Sequence, residues 1–246
     1  MDDGARVAII TGGSSGIGLA CGRSLVEQGY DVVLTARRES PLAEAAATIG
    51  ARWAAADSAD EDGFAAVVAT AGRVDLLVHA AGVMQGTFLR KESMDTVDAV
   101  LRTNLRSAFV VAQAVLPAMR PGGRLVFLSS SSAHAPQPGK AAYSASKAGL
   151  NAFAAALARE VDRDGISVHV VTTGPVATPM LDDVHFPMRT LDADDVARTV
   201  VWLDGLPPTV VLPEVVLSAA ERGPFAPEPY VPDAARALGR TELPSA

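Results

Sequence analysis

An α/β architecture, a doubly wound parallel sheet of seven strands with helices on both faces, is what this sequence predicts, on three observations. Strand-like and helix-like stretches alternate along the chain, the order that parallel strands joined by crossover helices require. The first strand candidate, Val7-Ala8-Ile9-Ile10, is an unbroken apolar run rather than an alternating one, as befits a buried strand. That run passes through Thr11 into Gly12-Gly13-Ser14-Ser15-Gly16-Ile17-Gly18 and then into a helical pattern through Leu19, Ala20, Leu25 and Val26. Strand, glycine-rich turn and helix in this order is the arrangement that places a diphosphate at a helix N-terminus.

Taken in order, strands are expected near 6–11, 31–36, 51–56, 74–79, 123–129, 166–172 and 209–217. Helices are expected over 16–28, 41–49, 60–71, 93–119, 143–163 and 192–204; the last has Asp192 as cap and Asp195 in its first turn. No composition break divides residues 1–222, which are expected to form one domain for cofactor binding and catalysis. Residues 223–246 form a tail carrying Pro224, Pro227, Pro229 and Pro232, expected to be extended, with a helical turn or two over Ala234 to Leu238.

The chain has 246 residues, 49% of them hydrophobic, enough to bury a full core. Its net charge of −7, with no basic run longer than two residues, argues against nucleic acid or an anionic membrane as partner. One cysteine, Cys21, excludes an intrachain disulfide and is expected in the core. The acidic start enters the first strand almost at once, and no apolar stretch reaches spanning length, so a cytoplasmic protein is expected. The four histidines are scattered without ligand spacing, and no metal site is expected.

Two patterns carry chemistry. In the glycine stretch, backbone N–H groups and the positive end of a helix dipole would meet a diphosphate, with no Cβ to hold it away. The second strand then ends in Ala36-Arg37-Arg38: no acid stands where one would hold the adenosine ribose hydroxyls, and arginine there accommodates a 2′-phosphate. Towards the other end, Tyr143 and Lys147 stand four residues apart, one turn apart on a helix face. An ammonium beside a phenol favours the phenolate and brings its proton exchange nearer neutral pH. Ser130 lies thirteen positions upstream, at the carboxyl end of a buried strand, the edge where open α/β sheets bind ligands.

In its Gly-x-x-x-Gly-x-Gly spacing after Thr11, and in the order and spacing of Ser130, Tyr143 and Lys147, the chain resembles the short-chain dehydrogenase/reductase family from Arg6 to about Leu217. The resemblance implies a Rossmann fold and a hydride-transferring oxidoreductase using NADP(H). By it, the cofactor would be held by Gly12, Ser14, Ser15, Gly16, Ile17 and Gly18, by Arg37 mainly and Arg38 second, and by Asp57 and Ser58 at the adenine. Ala81, Gly82, Gly174, Val176 and Thr178 would complete the binding surface, with Tyr143 and Lys147 also touching the cofactor. Asp57 could equally be a helix cap.

The resemblance makes Tyr143 the general acid or base, Lys147 its partner, Ser130 (with Ser129 as runner-up) the ligand of the substrate oxygen, and Asn104 the helix asparagine that helps hold a relay water. Asn104 could also be a buried polar residue capped by backbone. Ser132, His134 and Met180 are candidates to bind substrate, within a wider set of Met84, Gln137, Leu181 and Phe186. A solvated loop position is the plainer reading of His134, and a core position that of His169.

Two segments depart from the family pattern: His79-Ala80-Ala81-Gly82, where asparagines usually stand first, and Thr172-Thr173-Gly174-Pro175, where threonine replaces the first proline. The lid, 179–188, is short and suggests an open site or a small substrate. The expected partner is a small-molecule carbonyl or secondary alcohol, and the long alanine- and leucine-rich helices suggest a homodimer or homotetramer. A non-catalytic NADP(H)-binding regulator or sensor is the alternative.

Overall fold

The computed structural model describes residues 4–221 and 226–243. Seven parallel strands form one sheet: β1 (Val7–Thr11), β2 (Asp31–Ala36), β3 (Arg52–Ala55), β4 (Val74–His79), β5 (Met119–Ser130), β6 (Ser167–Thr173) and β7 (Glu214–Leu217), in the order β3-β2-β1-β4-β5-β6-β7. The chain winds outward from β1 to β3 and then crosses back to place β4 on the other side of β1. The strand order therefore reverses between β1 and β4, and a crevice opens beyond their carboxyl ends.

The unbroken apolar run of β1 follows from burial on both faces. Val7 and Ile9 point into one core, with Phe64, Val111, Leu150 and Leu157. Ala8 and Ile10 point into the other, with Leu25, Leu42, Val200 and Leu203. The first face carries α3 (Glu61–Ala71), α5 (Ser107–Val115) and α6 (Ala141–Val161); the second carries α1 (Gly16–Glu27), α2 (Glu39–Ile49) and α7 (Ala193–Asp204). Each fully buried leucine or phenylalanine stabilises the fold by about 1.5–3 kcal/mol. Cys21 lies fully buried on α1. At the start of α7, Asp195 Oδ2 accepts from the Asp192 backbone N at 3.1 Å, closing a capping box.

Two expected elements differ. The helix expected over 93–119 is α4 (Met94–Leu101), a π-helical turn over Arg102–Arg106, α5 and a 3₁₀ turn over Leu116–Ala118, after which β5 already begins at Met119. Pro117 in that last turn has no N–H to continue an α-helix. The strand expected over 209–217 is only Glu214–Leu217, because Pro213 stands at its threshold and Val210 and Val211 are exposed.

The tail folds back onto its own chain. Met188 and Tyr230 form an antiparallel bridge, with Met188 N donating to Tyr230 O at 3.1 Å and Tyr230 N to Met188 O at 2.8 Å. A short helix, α8 (Asp233–Ala237), buries Ala235, and the Ala234 N donates to Asp182 O at 3.0 Å. The tail thus lies over the segment 179–188 expected to be the lid. Gly223 and Pro224 fall outside the described residues.

Candidate active site

A cavity of about 380 Å³ runs along the carboxyl edge of the sheet, walled by the loops that follow β1 through β6. Its floor at one end is the glycine turn. Gly12 (φ +68°) and Gly16 (φ +53°) adopt the left-handed conformation that favours glycine. Gly18 has an ordinary backbone, but a Cβ on it would overlap the carbonyl oxygen of Gly12. Helix α1 starts here with no side-chain cap at Ser15, so its first N–H groups face the cavity without a side-chain acceptor. These are the features a diphosphate requires: free donors, a positive helix end and no side chain in the way.

All of the expected cofactor contacts line this cavity: Gly12, Ser14, Ser15, Gly16, Ile17 and Gly18 after β1, Arg37 and Arg38 after β2, Asp57 and Ser58 after β3, Ala81 and Gly82 after β4, Gly174, Val176 and Thr178 after β6, and Tyr143 and Lys147 from α6. Arg37 and Arg38 are exposed at its mouth. Asp57 is partly engaged already: one carboxylate oxygen accepts from Ala59 N at 2.9 Å and the other from Arg102 Nη1 at 2.5 Å. Partial burial pushes its carboxyl up, but the backbone donor and the two guanidinium groups of Arg102 and Arg37 bring it below the usual range.

At the other end stand Ser130, Tyr143 and Lys147. The Ser130 hydroxyl hydrogen-bonds the Tyr143 phenol, and Ser130 Oγ accepts from the Ser132 backbone N at 3.2 Å. The Lys147 ammonium donates to the Leu128 carbonyl at 2.8 Å and lies 6.0 Å from the centre of the Tyr143 ring. The expectation that lysine depresses the phenol is not met. Burial raises the Tyr143 pKa, only Ser130 opposes it, and burial brings Lys147 down to about 8. The ammonium is directed at a carbonyl of β5 instead.

Asn104 is fully buried behind the cavity and does not line it. Its Oδ1 accepts from Val83 N at 2.8 Å; its Nδ2 donates to Val83 O at 2.9 Å and to Ser146 Oγ at 3.1 Å. The side chain therefore fastens the loop after β4 to α6. It sits in the π-helical turn, where the change of hydrogen-bond register reorients a buried polar residue.

His79, unusual for the resemblance, ties the end of β4 to β1 and to α5. Ala81 N donates to Thr11 Oγ1 at 3.0 Å, so the Thr11 hydroxyl donates onward to His79 Nδ1 at 2.9 Å. His79 Nε2 then carries the proton to Ser107 Oγ at 3.0 Å, whose own hydroxyl donates to Thr103 O at 2.6 Å. This chain has a direction only if the imidazole is neutral. Complete burial, with the Lys147 charge adding to it, holds the His79 pKa down at about 3.

Of the expected substrate residues, Ser132 and Met180 line the cavity, as do Met84, Gln137 and Leu181. His134 does not: its Nε2 lies 2.7 Å from Glu214 Oε1 on the far side of β6, where Thr172 and Asn151 share the same carboxylate. It was drawn to β7 by an acid eighty residues away, a contact no local spacing reveals. Phe186 points away from the cavity to the surface. Missed by the sequence were Val184 and Met188 of the lid and Lys140, three positions before Tyr143 on the same helix start. The available signal was the closeness of Lys140 to Tyr143 in sequence, just before the helix that carries it. Among the described residues no group of three His, Cys, Asp or Glu side chains converges, and no helix is long and apolar enough to cross a membrane.

The family model for short chain dehydrogenase matches residues 6–187. An acetoacetyl-CoA reductase of Cupriavidus necator is 35% identical over 222 residues, 80% of this chain and 90% of its own. A cyclic-di-GMP-binding biofilm dispersal mediator protein of Escherichia coli is 33% identical over 212 residues, 81% and 90% of the two chains. The crystal structure of BdcA in complex with NADPH superposes with a TM-score of 0.79 at 31% identity, covering 91% of this chain and 95% of that one. Match, fold and strand order agree: this chain belongs to the short-chain dehydrogenase family.

Proposed function

We propose that the protein is an NADP(H)-dependent reductase of ketones or aldehydes. The observation that carries this reading is the single cavity joining an uncapped helix start and glycine cradle to a buried tyrosine that shares a hydrogen bond with a serine. Arg37, with Arg38 second, would hold a 2′-phosphate at the mouth, supported by the absence of any acid at that strand end. A relative's crystal structure with NADPH supports the same cofactor.

The nicotinamide, when bound, supplies or accepts the hydride. Ser130 would hold the substrate carbonyl oxygen and stabilise the charge that develops on it. Tyr143 would deliver its phenolic proton to that oxygen as it becomes an alkoxide. The raised pKa keeps the phenol protonated at neutral pH, which is the form a reduction needs. Lys147, still largely charged below pH 8, would hold the nicotinamide ribose. Asn104 acts as a positioning residue through Val83 and Ser146. Gly174, Val176 and Thr178 would contact the nicotinamide end.

Small-molecule carbonyls or secondary alcohols, and not nucleic acid or membrane, are the expected partners. A homodimer or homotetramer is supported by the outer face of α5 and α6, where Phe109, half exposed, packs at a tilt against Phe153 with 4.1 Å between ring centres. The alternative, a non-catalytic NADP(H)-binding regulator, is not favoured; what speaks for it is that the Escherichia coli relative is a biofilm dispersal mediator. The two separate in one experiment: fluorescence titration with NADPH and NADH, then NADPH oxidation against a panel of ketones and aldehydes. NADPH binding with turnover of a panel member is the expected result. Tight binding without turnover turns the reading to the regulator, and no binding removes both.

A further inference from the structure

Five charged residues line the cavity: Arg37, Arg38, Asp57, Lys140 and Lys147. Four already have work. The two arginines stand at the cofactor's phosphate end, Asp57 is paired with Arg102, and Lys147 is bonded to the Leu128 carbonyl. Lys140 is left over. It is half-buried, and among the described residues no carboxylate or carbonyl accepts from its ammonium. A cation partly withdrawn from water without a compensating anion is a cost to the folded chain. Burial alone lowers its pKa, with no acid acting against that. In a protein of net charge −7, acids are not scarce; none has been placed here.

The position adds the meaning. Lys140 is the residue that precedes the first turn of α6, three positions before Tyr143, and both side chains line the same cavity. Apart from the uncharged polar Ser132 and Gln137, the substrate wall is largely apolar, with Met84, Met180, Leu181, Val184 and Met188, and its methionines are adaptable. Beside the group that protonates a carbonyl oxygen, the cavity thus offers one uncommitted cation and a thioether-lined slot.

We propose that Lys140 is a specificity residue for an anionic substrate, and that the substrate class is a short aliphatic oxo acid whose carboxylate lies a few carbons from the reducible carbonyl. The carboxylate pairs with the Lys140 ammonium, the aliphatic part lies against the methionines, and the carbonyl oxygen reaches Ser130 and Tyr143. This rests on the reductase reading given above. The step is the same reduction: hydride from NADPH to the carbonyl carbon and the Tyr143 proton to its oxygen, giving a hydroxy acid and NADP⁺.

The test compares 4-oxopentanoate with its methyl ester, which differ in the anion alone, in the wild type and in Lys140→Met, together with NADPH affinity. A charge-assisted contact of this kind contributes about 1.5–3 kcal/mol, so the wild type should prefer the acid, and the acid-to-ester ratio of kcat/KM should fall about ten- to hundredfold in the variant. That loss should lie in KM for the acid, and Lys140→Arg should restore part of the ratio. An unchanged ratio in Lys140→Met, or a wild type that favours the ester, overturns the assignment while leaving the reductase reading standing. Failure to bind NADPH overturns both. If 2-oxo and 3-oxo acids exceed the 4-oxo acid with the same dependence on Lys140, the class holds and the spacing is shortened. If only phosphorylated ketones show the dependence, the anion is a phosphate and the oxo-acid class is wrong.

Discussion

The two ends of the cavity are built by different means. At the end assigned to the nucleotide it is mostly backbone that faces the cavity, with glycines that lack a Cβ, the N–H groups of α1 and turns that follow β1, β2 and β4 directly, and Arg37 and Arg38 add charge at the mouth. At the end assigned to the substrate the wall is made of side chains, from the lid over 179–188 beneath the tail and from the start of α6. Backbone recognition demands particular residues at fixed spacing, whereas side-chain recognition tolerates many solutions. The first end can therefore be damaged by adding a single methyl group, and the second can be retuned by changing one charge.

The largest effect should follow from adding that methyl. Gly18→Ala places a Cβ against the carbonyl oxygen of Gly12, which is backbone and cannot move aside without opening the turn. NADPH affinity should fall at least a hundredfold, measured by fluorescence titration, with thermal stability lowered as well. Retained affinity would mean that the glycine cradle is not where the diphosphate sits.

Next is the phosphate end. Arg37→Ala should raise the Michaelis constant for NADPH about ten- to hundredfold and leave that for NADH nearly unchanged, the difference being one charge-assisted contact. Equal effects on both cofactors would remove the case for 2′-phosphate recognition.

An effect on stability rather than on affinity lies between the two ends, at His79. Its folded pKa of about 3 is far below the ordinary 6.5, so between these values the unfolded chain binds a proton that the native one refuses. Stability is therefore complete above pH 6.5 and falls as pH drops towards 3, by up to about 1.4 kcal/mol per pH unit from this group. Urea unfolding from pH 7 to pH 4 should show a shallower acid loss in His79→Asn than in the wild type. Parallel curves would mean that the imidazole is not held neutral.

The same division explains what could be read from the sequence. The glycine turn, the arginines after β2 and the Ser130, Tyr143 and Lys147 set all reach the one cavity, because each is tied to a strand end or a helix turn whose position follows from periodicity. Strands β1, β2 and β4 were legible for the same reason. His134 was not, because its partner Glu214 lies on β7 and only the folded sheet brings them together. Nor was the breaking of the 93–119 helix, since a π-helical turn has no local sequence rule. Lys140 was hidden in plain view: its significance is the absence of a partner, and an absence of contacts exists only in three dimensions. The Tyr143 pKa was misjudged because spacing placed Lys147 near the phenol without revealing that its ammonium is turned to Leu128.

In the proposed reductase, cofactor binding and proton transfer are carried by separate groups at the two ends, and this division can be broken at one residue. It is tested most directly by titrating Tyr143→Phe with NADPH while following NADPH oxidation with a ketone that the wild type reduces. The account predicts wild-type NADPH affinity within about threefold and turnover lowered at least a thousandfold, the upper part of what a positioned acid contributes. Turnover retained in Tyr143→Phe would contradict the account, because the proton would then come from another group.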